Sequence, residues 1–325
     1  MGPDPAVAAT RVAVRRALAA GTPGDPGSAP VLVACSGGAD SLALVAATVF
    51  EARDRPWSVI GVTVDHGLHD ASAEVATLVV GQMASLGADE TASIRVSVNA
   101  AGHGLESAAR QARYAVLEEL ADRYGSRVVL LGHTLDDQAE TVLLGLTRGS
   151  GARSLAGMRR AFGVFRRPLL DLTRAQTERA CLAQDIAWWT DPANDDARFT
   201  RARVRHRVLP LLESELGPGV AAALARTAGL LRADVEHLDD LARTAYAALP
   251  DPLPVEMLLD LAPALRTRVL RLAALRAGAR DGELFHDHVR ALDALVTDWH
   301  GQGPVDLPGR VRGVRRGGAL VFEGP

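Results

Sequence analysis

A chain of 325 residues exceeds the ~100–200 typical of one domain, so two or three domains with separate cores are expected. With 48% hydrophobic and 23% charged residues it carries too much apolar side chain to be disordered. Its apolar stretches are broken within about ten residues by Arg, Asp, Gly or Pro, short of the ~20 a membrane span needs, so no membrane role is expected. There is no lysine, so all 36 basic side chains are arginines, and a formal charge of −3 gives no global pull toward nucleic acid.

Ala6–Ala20 has Arg11, Arg15 and Arg16 inside its apolar pattern, unlike a secretory signal, and Val7, Val14 and Leu18 predict one face of a short helix. Gly21–Pro30 is Gly/Pro/Ser-rich, so residues 1–30 read as an N-terminal helix and linker. Strands are predicted at Val31–Cys35, Ser58–Val64, Ile94–Val98 and Arg127–Leu131, and helices at Ser41–Phe50, Ala71–Leu86, Glu106–Tyr124 and Asp136–Leu146. This rhythm implies an α/β domain over 31–217: a parallel sheet with helices on both faces and ligands beyond the carboxyl ends of its strands.

From Arg174 onward the pattern turns mostly helical, with long stretches Gly219–Ala247 and Pro263–Ala277 separated by the Pro-rich Leu249–Pro254. Val305–Phe322 alternates in short runs punctuated by glycines, as a hairpin or meander would. A smaller, mostly helical domain with short C-terminal strands is therefore expected over 218–325. The two cysteines, Cys35 and Cys181, offer neither a disulfide framework nor a zinc set, so the cytoplasm is the expected compartment.

Ser36-Gly37-Gly38-Ala39-Asp40-Ser41 follows a predicted strand and opens a predicted helix, a geometry in which backbone N–H groups cradle phosphate. The competing reading is a Gly-rich turn with an ordinary Ser/Asp helix cap. A Walker-type loop needs a lysine, and none exists. The Asp40 carboxylate would repel phosphate unless a cation intervened, which implies Mg²⁺ and a partner acid nearby. Gly132-His133-Thr134-Leu135-Asp136-Asp137-Gln138-Ala139-Glu140-Thr141 supplies candidates on the same sheet edge, although Asp-Asp at a helix start is also ordinary capping.

These two motifs resemble the N-type ATP pyrophosphatase superfamily (PP-loop, adenine nucleotide alpha hydrolase-like fold) and, within it, the tRNA(Ile)-lysidine synthetase family. The resemblance extends over most of the chain: Val62-Thr63-Val64-Asp65-His66-Gly67-Leu68, Glu106-Ser107-Ala108-Ala109-Arg110-Gln111-Ala112-Arg113-Tyr114, Arg148-Gly149-Ser150-Gly151 with Leu155-Ala156-Gly157-Met158, Arg167-Pro168-Leu169-Leu170 and Asp191-Pro192-Ala193-Asn194 follow in order. Two departures stand out, Ala193 where the family commonly has Ser and Ala202 where it commonly has Asn.

The resemblance implies a tRNA-modifying ligase that uses ATP and Mg²⁺ to join free L-lysine to C2 of the wobble cytidine in a tRNA(Ile) with a CAU anticodon, releasing AMP and pyrophosphate. Ser36, Gly37, Gly38, Ala39, Asp40 and Ser41 would bind ATP. Asp40, Arg113, His133, Asp136 and Asp137 would serve catalysis, with Asp40 and Asp136 as Mg²⁺ ligands. His66, His103 and His133 suit hydrogen bonding better than Mg²⁺ ligation.

The densest basic run is Arg198, Arg201, Arg203, Arg205, His206 and Arg207; on a helix Arg198, Arg201 and Arg205 would share a face. Arg110, Arg201 and Arg205 are the expected RNA contacts, against the bland alternatives of a solvated helix face for Arg110 and salt bridges to Glu213 and Glu215 for the run. A homodimer is left open. So are two other readings: a PP-loop relative that 2-thiolates tRNA, which would use cysteines at a spacing absent here, and a non-catalytic tRNA-binding relative.

Overall fold

The computed structural model describes residues 2–19, 25, 27–65, 67, 72–96, 105–147, 151–191 and 195–324, with backbone alone for 105–108. Helix α1 (Pro5–Ala17) starts on a proline, and Asp4 caps it by accepting the N–H of Ala6 at 2.9 Å. There follow β1 (Val31–Ala34), α2 (Ala39–Ala52), β2 (Val59–Asp65), α3 (Ser72–Ser85), β3 (Glu90–Arg95), α4 (Leu105–Tyr124), β4 (Val128–Leu131) and α5 (Leu135–Leu146). Next come α6 (Ala152–Leu155), β5 (Ala161–Phe162), β6 (Phe165–Arg166), α7 (Arg174–Leu182), α8 (Thr200–Arg203), α9 (Leu209–Leu216) and α10 (Val220–Ala248). The chain divides into two units, Met1–Leu143 with Met158–Ala225, and Leu144–Gly157 with Arg226–Pro325.

In the first unit the sheet order is β3-β2-β1-β4-β6-β5, all parallel except the β5–β6 hairpin. The chain steps outward from β1 through β2 to β3, then returns to place β4 on the other side of β1. Strand order therefore reverses between β1 and β4, where open α/β sheets bind ligands. Alternation along β1 sends Val31 and Val33 into one core with α1, α2, α3 and α7, and Leu32 into the other with Leu117, Leu120 and Ala121 of α4. With both faces covered, β1 and β4 are apolar throughout, and each fully buried Val or Leu contributes roughly 1.5–3 kcal/mol.

Two elements differ from the sequence reading. Strand β3 lies four residues earlier than Ile94–Val98, pairing from Ile60↔Glu90 to Asp65↔Arg95; as an edge strand it tolerates Glu90, Thr91 and Ser93, which hid its start. The β5–β6 hairpin, turning at Gly163 (φ 48°), was not anticipated, because each strand has only two residues.

The second unit contains β7 (Leu253–Pro254), α11 (Val255–Leu259), α12 (Pro263–Arg276), α13 (His286–Thr297), β8 (Val305–Leu307), β9 (Val311–Arg316) and β10 (Ala319–Glu323). The expected C-terminal meander is present, and β7 joins it to give an antiparallel order β7-β10-β9-β8. Leu253, Leu307, Val311 and Leu320 from the strands meet Leu258, Leu270 and Leu292 from the helices in one core. Among the described residues no single helix is long and apolar enough to cross a membrane.

Candidate functional site

The loop between β1 and α2 is shaped by backbone geometry. Gly37 has φ +83°, and a Cβ there would lie 2.5 Å from Val79 Cγ2, so both conformation and space require glycine. Gly38 is the N-cap of α2 and offers no side chain, which leaves the first N–H groups of a 14-residue helix without a side-chain cap. Ser41 fixes the loop from inside: its hydroxyl donates to the Gly38 carbonyl at 2.9 Å and accepts the Ser36 N–H at 3.2 Å. The helix begins at Ala39 rather than Ser41, which puts Asp40 in its first turn.

The second motif meets this loop at Gly132, where a Cβ would stand 3.1 Å from the backbone of Ser41 and 3.2 Å from that of Asp40. Within the motif the acids have separate duties. Asp137 Oδ2 accepts the N–H of Thr134 at 2.9 Å and its hydroxyl at 3.1 Å, securing the start of α5, while Oδ1 faces Arg174 at 3.1 Å and Arg205 at 3.2 Å. Asp136 Oδ2 accepts the backbone N–H of Arg174 at 2.7 Å. Glu140, with 0% exposure, takes Arg201 Nε at 2.8 Å and Arg205 Nε at 2.6 Å. These are charge-assisted bonds of the short, strong kind.

Asp40 accepts the Thr177 hydroxyl on Oδ1 and lies 3.5 Å from Arg174 Nε through Oδ2. Burial raises its pKa to about 6; Arg174 and Thr177 oppose the rise, and Asp137 adds to it. His133 is buried in a cationic surrounding, and its pKa is pushed far down, chiefly by burial, with Asp137 opposing and Arg167, Arg110 and Arg201 reinforcing. Arg167 donates from Nε to His133 Nδ1 at 3.3 Å and from Nη2 to the Tyr114 hydroxyl at 2.9 Å.

These groups surround a cleft of about 670 Å³, a size suited to a small-molecule ligand. Of the residues expected at the site, Ser36, Gly38, Ala39, Asp40 and Ser41 line it on one side. Arg110, Arg113, His133, Asp137, Arg201 and Arg205 line it on the others. Gly37 and Asp136 are not on its wall; Gly37 shapes the loop from behind and Asp136 holds the start of α7. Val62 and Val64 reach the cleft, whereas His66, Leu68, His103, Arg148–Ser150 and Pro192–Asn194 lie outside the described residues, as do the side chains of Glu106–Ala108.

The basic run does not form one face. Arg198 precedes α8 and pairs with Asp196, while Arg201 and Arg205 both turn to Glu140. Glu213 is no partner of that run; it accepts the N–H groups of Gly219 and Ala221 at 2.6 and 2.9 Å.

Sequence reasoning missed Arg174 and Thr177 on α7 and Trp188 and Trp189 on the cleft wall, and it named the buried Glu140 and Arg167 behind His133 only as motif residues, without a role. A local signal for α7 existed: Thr173 and Gln176 form a capping box, which marks a helix start at Arg174.

Among the described residues no three His, Cys, Asp or Glu side chains gather at a metal-binding spacing. The cleft acids Asp40 and Asp137 are hard oxygen donors, and they fit Mg²⁺ as one or two carboxylates that phosphate oxygens would complete.

A parallel sheet with a glycine loop and an acidic helix start meeting at its switch point defines a PP-loop, ATP-using enzyme. Residues 12–212 match the PP-loop domain model, and residues 253–320 match the TilS substrate binding domain. The tRNA(Ile)-lysidine synthase of Thermobifida fusca is 51% identical with 99% of each chain covered, and that of Streptomyces coelicolor 49% with 99% of each. That of Salinispora arenicola is 52% identical, over 99% of this chain and 97% of its own. This chain belongs to the tRNA(Ile)-lysidine synthase family. A solved structure of the U34-tRNA thiolase NcsA from Methanococcus maripaludis, with its [4Fe-4S] cluster, superposes with a TM-score of 0.58 over 70% of this chain and 80% of that one; at 17% identity it shares the fold alone.

Proposed function

We propose that this enzyme is an ATP-dependent carbon–nitrogen ligase that joins free L-lysine to C2 of the wobble cytidine in a CAU-anticodon tRNA(Ile). The observation that carries this reading is the meeting of Ser36–Ser41 and Gly132–Thr141 over one cleft, in a chain about half identical to named lysidine synthases along its whole length.

In the first step the cytidine O2 attacks the α-phosphorus of ATP, an O–P bond forms, and pyrophosphate leaves. The uncapped start of α2 and the hydroxyl of Ser36 are suited to hold the phosphates, while Ser41 braces the loop. Mg²⁺, held by Asp40 with a second cleft acid, Asp137, would neutralise the departing pyrophosphate. Asp136 has less claim to that role, because it does not line the cleft.

In the second step the lysine ε-amine forms a bond to C2, the C2–O bond to the adenylate breaks, AMP leaves and the amine gives up its proton to solvent water. A neutral His133 can donate but not accept through its cleft-facing N–H, and Arg113 and Arg110 supply positive charge on the same wall. Carboxylates on the cleft wall are also suited to the lysine ammonium. Free lysine, ATP and tRNA as substrates support a cytoplasmic reaction.

Incubation with ATP, Mg²⁺, labelled lysine and a CAU-anticodon tRNA(Ile) tests the reading. Lysine incorporation with equimolar AMP and pyrophosphate supports it; no incorporation, or sulfur transfer instead, overturns it.

A further inference from the structure

Arg174 belongs to none of the motifs that point to the cleft, yet it sits among the acids of both the Ser36–Ser41 and the Gly132–Thr141 motifs. It opens α7, and the Asp136 carboxylate fixes its backbone N–H at 2.7 Å. Its guanidinium then reaches Asp40 at 3.5 Å, Asp137 at 3.1 Å and Glu140 at 3.9 Å. Glu140 already holds Arg201 and Arg205, and Asp137 shares Arg205, but among the described residues Arg174 is the one arginine within ion-pair distance of Asp40.

Two carboxylates from separate helix starts, facing one cleft, repel each other unless a cation lies between them. A guanidinium does this with a planar fork that cannot deprotonate. It also occupies the ground that an incoming divalent cation would need. Thr177, one turn along α7, donates to the other oxygen of Asp40, so a single helix controls both faces of that carboxylate.

We propose that Arg174 is a positioning residue that serves as the cleft's built-in counter-cation, bridging Asp40 and Asp137 in the nucleotide-free enzyme and yielding Asp40 to the divalent cation that enters with ATP. This rests on the reading of the cleft as a Mg²⁺·ATP site. Nucleotide-free enzyme thereby has little affinity for the metal, and the phosphates supply what is needed to displace the guanidinium.

The test uses Mn²⁺ as probe, followed by the loss of its free-ion electron paramagnetic resonance signal, on the full chain with and without ATP. Wild type is expected to bind Mn²⁺ weakly alone and tightly with ATP. Arg174→Met is expected to bind Mn²⁺ without ATP roughly tenfold more tightly, since a nearby positive charge is gone. Its melting temperature should be lower than wild type in metal-free buffer and restored by Mn²⁺.

Arg174→Lys should keep the weak nucleotide-free binding, and Asp40→Asn in the Arg174→Met background should abolish the gain. Arg174→Gln replaces the Met variant if that one does not fold. A merely structural arginine would lower the melting temperature without raising Mn²⁺ affinity, and that result overturns the proposal while leaving the cleft reading intact. Absence of Mn²⁺ binding to wild type even with ATP overturns both.

Discussion

Arg167 Nε addresses Nδ1 of His133 across 3.3 Å, so Nδ1 is the accepting nitrogen and the ring proton resides on Nε2. Burial, the larger cause, and the neighbouring arginines keep the imidazole neutral well below its ordinary pKa of about 6.5. The ring is therefore a fixed hydrogen-bond donor and not a base. Nitrogen-15 spectra of the wild type should show the Nε2–H tautomer with no titration near neutral pH. Arg167→Met should move the titration up toward 6.5 and mix the tautomers. Because the folded pKa is depressed, the unfolded chain takes up the proton first, and this contribution to stability is lost as pH falls below about 6.5. The Arg167→Met variant should lose less over that range, and an unchanged pH profile counts against the assignment.

Asp40 presents the opposite sign. Its folded pKa is raised from 3.8 to about 6, so the ionised carboxylate costs stability above about pH 6, and the cost disappears as pH falls toward 3.8. Asp40→Asn should therefore stabilise the protein at pH 8, on the order of 1–3 kcal/mol, and leave it unchanged near pH 3.8. The same variant should abolish tRNA adenylation, seen as loss of pyrophosphate release. Urea denaturation at the two pH values checks the first half, and loss of stability at pH 8 would refute it.

Glu140 is wholly enclosed, while its partner Arg201 keeps 27% of its side chain exposed. Removing the acid takes the shared carboxylate from two guanidiniums at once, whereas removing one arginine leaves the acid its other partner. Glu140→Gln is expected to cost about 3–5 kcal/mol and Arg201→Met clearly less. Urea midpoints measure both; equal losses would show that the triad is not organised around the acid.

The site was legible in the sequence where the chemistry is local. Gly37 and Gly38, Asp40, Asp136 and Asp137 sit in contiguous motifs, and their placement at the carboxyl ends of β1 and β4 follows from the strand–helix rhythm alone. Arg174 and Thr177 were not legible, because their role exists only when α7 packs beside α2; a capping box announces a helix but not what it faces. Glu140 lay inside a quoted motif, yet nothing in one sequence says which acid of that motif will be enclosed. The edge strand β3 and the hairpin β5–β6 escaped because polar edge residues and two-residue strands carry too little periodicity.

Cys35 and Cys181 are both buried free thiols, with Cys35 Sγ 3.5 Å from the Ser41 hydroxyl and Cys181 Sγ 3.3 Å from the Ala39 carbonyl. Burial raises the pKa of each, that of Cys181 to about 12, so neither supplies thiolate at neutral pH. Cys181→Ala should retain lysine incorporation at the wild-type rate with a stability loss of about 1 kcal/mol. Rapid alkylation of the native protein by iodoacetamide, or loss of turnover in that variant, would contradict this and revive a sulfur-transfer reading.

The permanently charged cations on the cleft wall are Arg110, Arg113, Arg174, Arg201 and Arg205, and no ε-amine exists anywhere in the chain. A guanidinium keeps its protons and has no free lone pair with which to attack. In the proposed reaction these arginines would hold charge near the activated cytidine without being able to capture its electrophilic carbon. No lysine of the chain can compete for that carbon, so in the proposed reaction any lysine amine that reaches it would have to diffuse in as substrate.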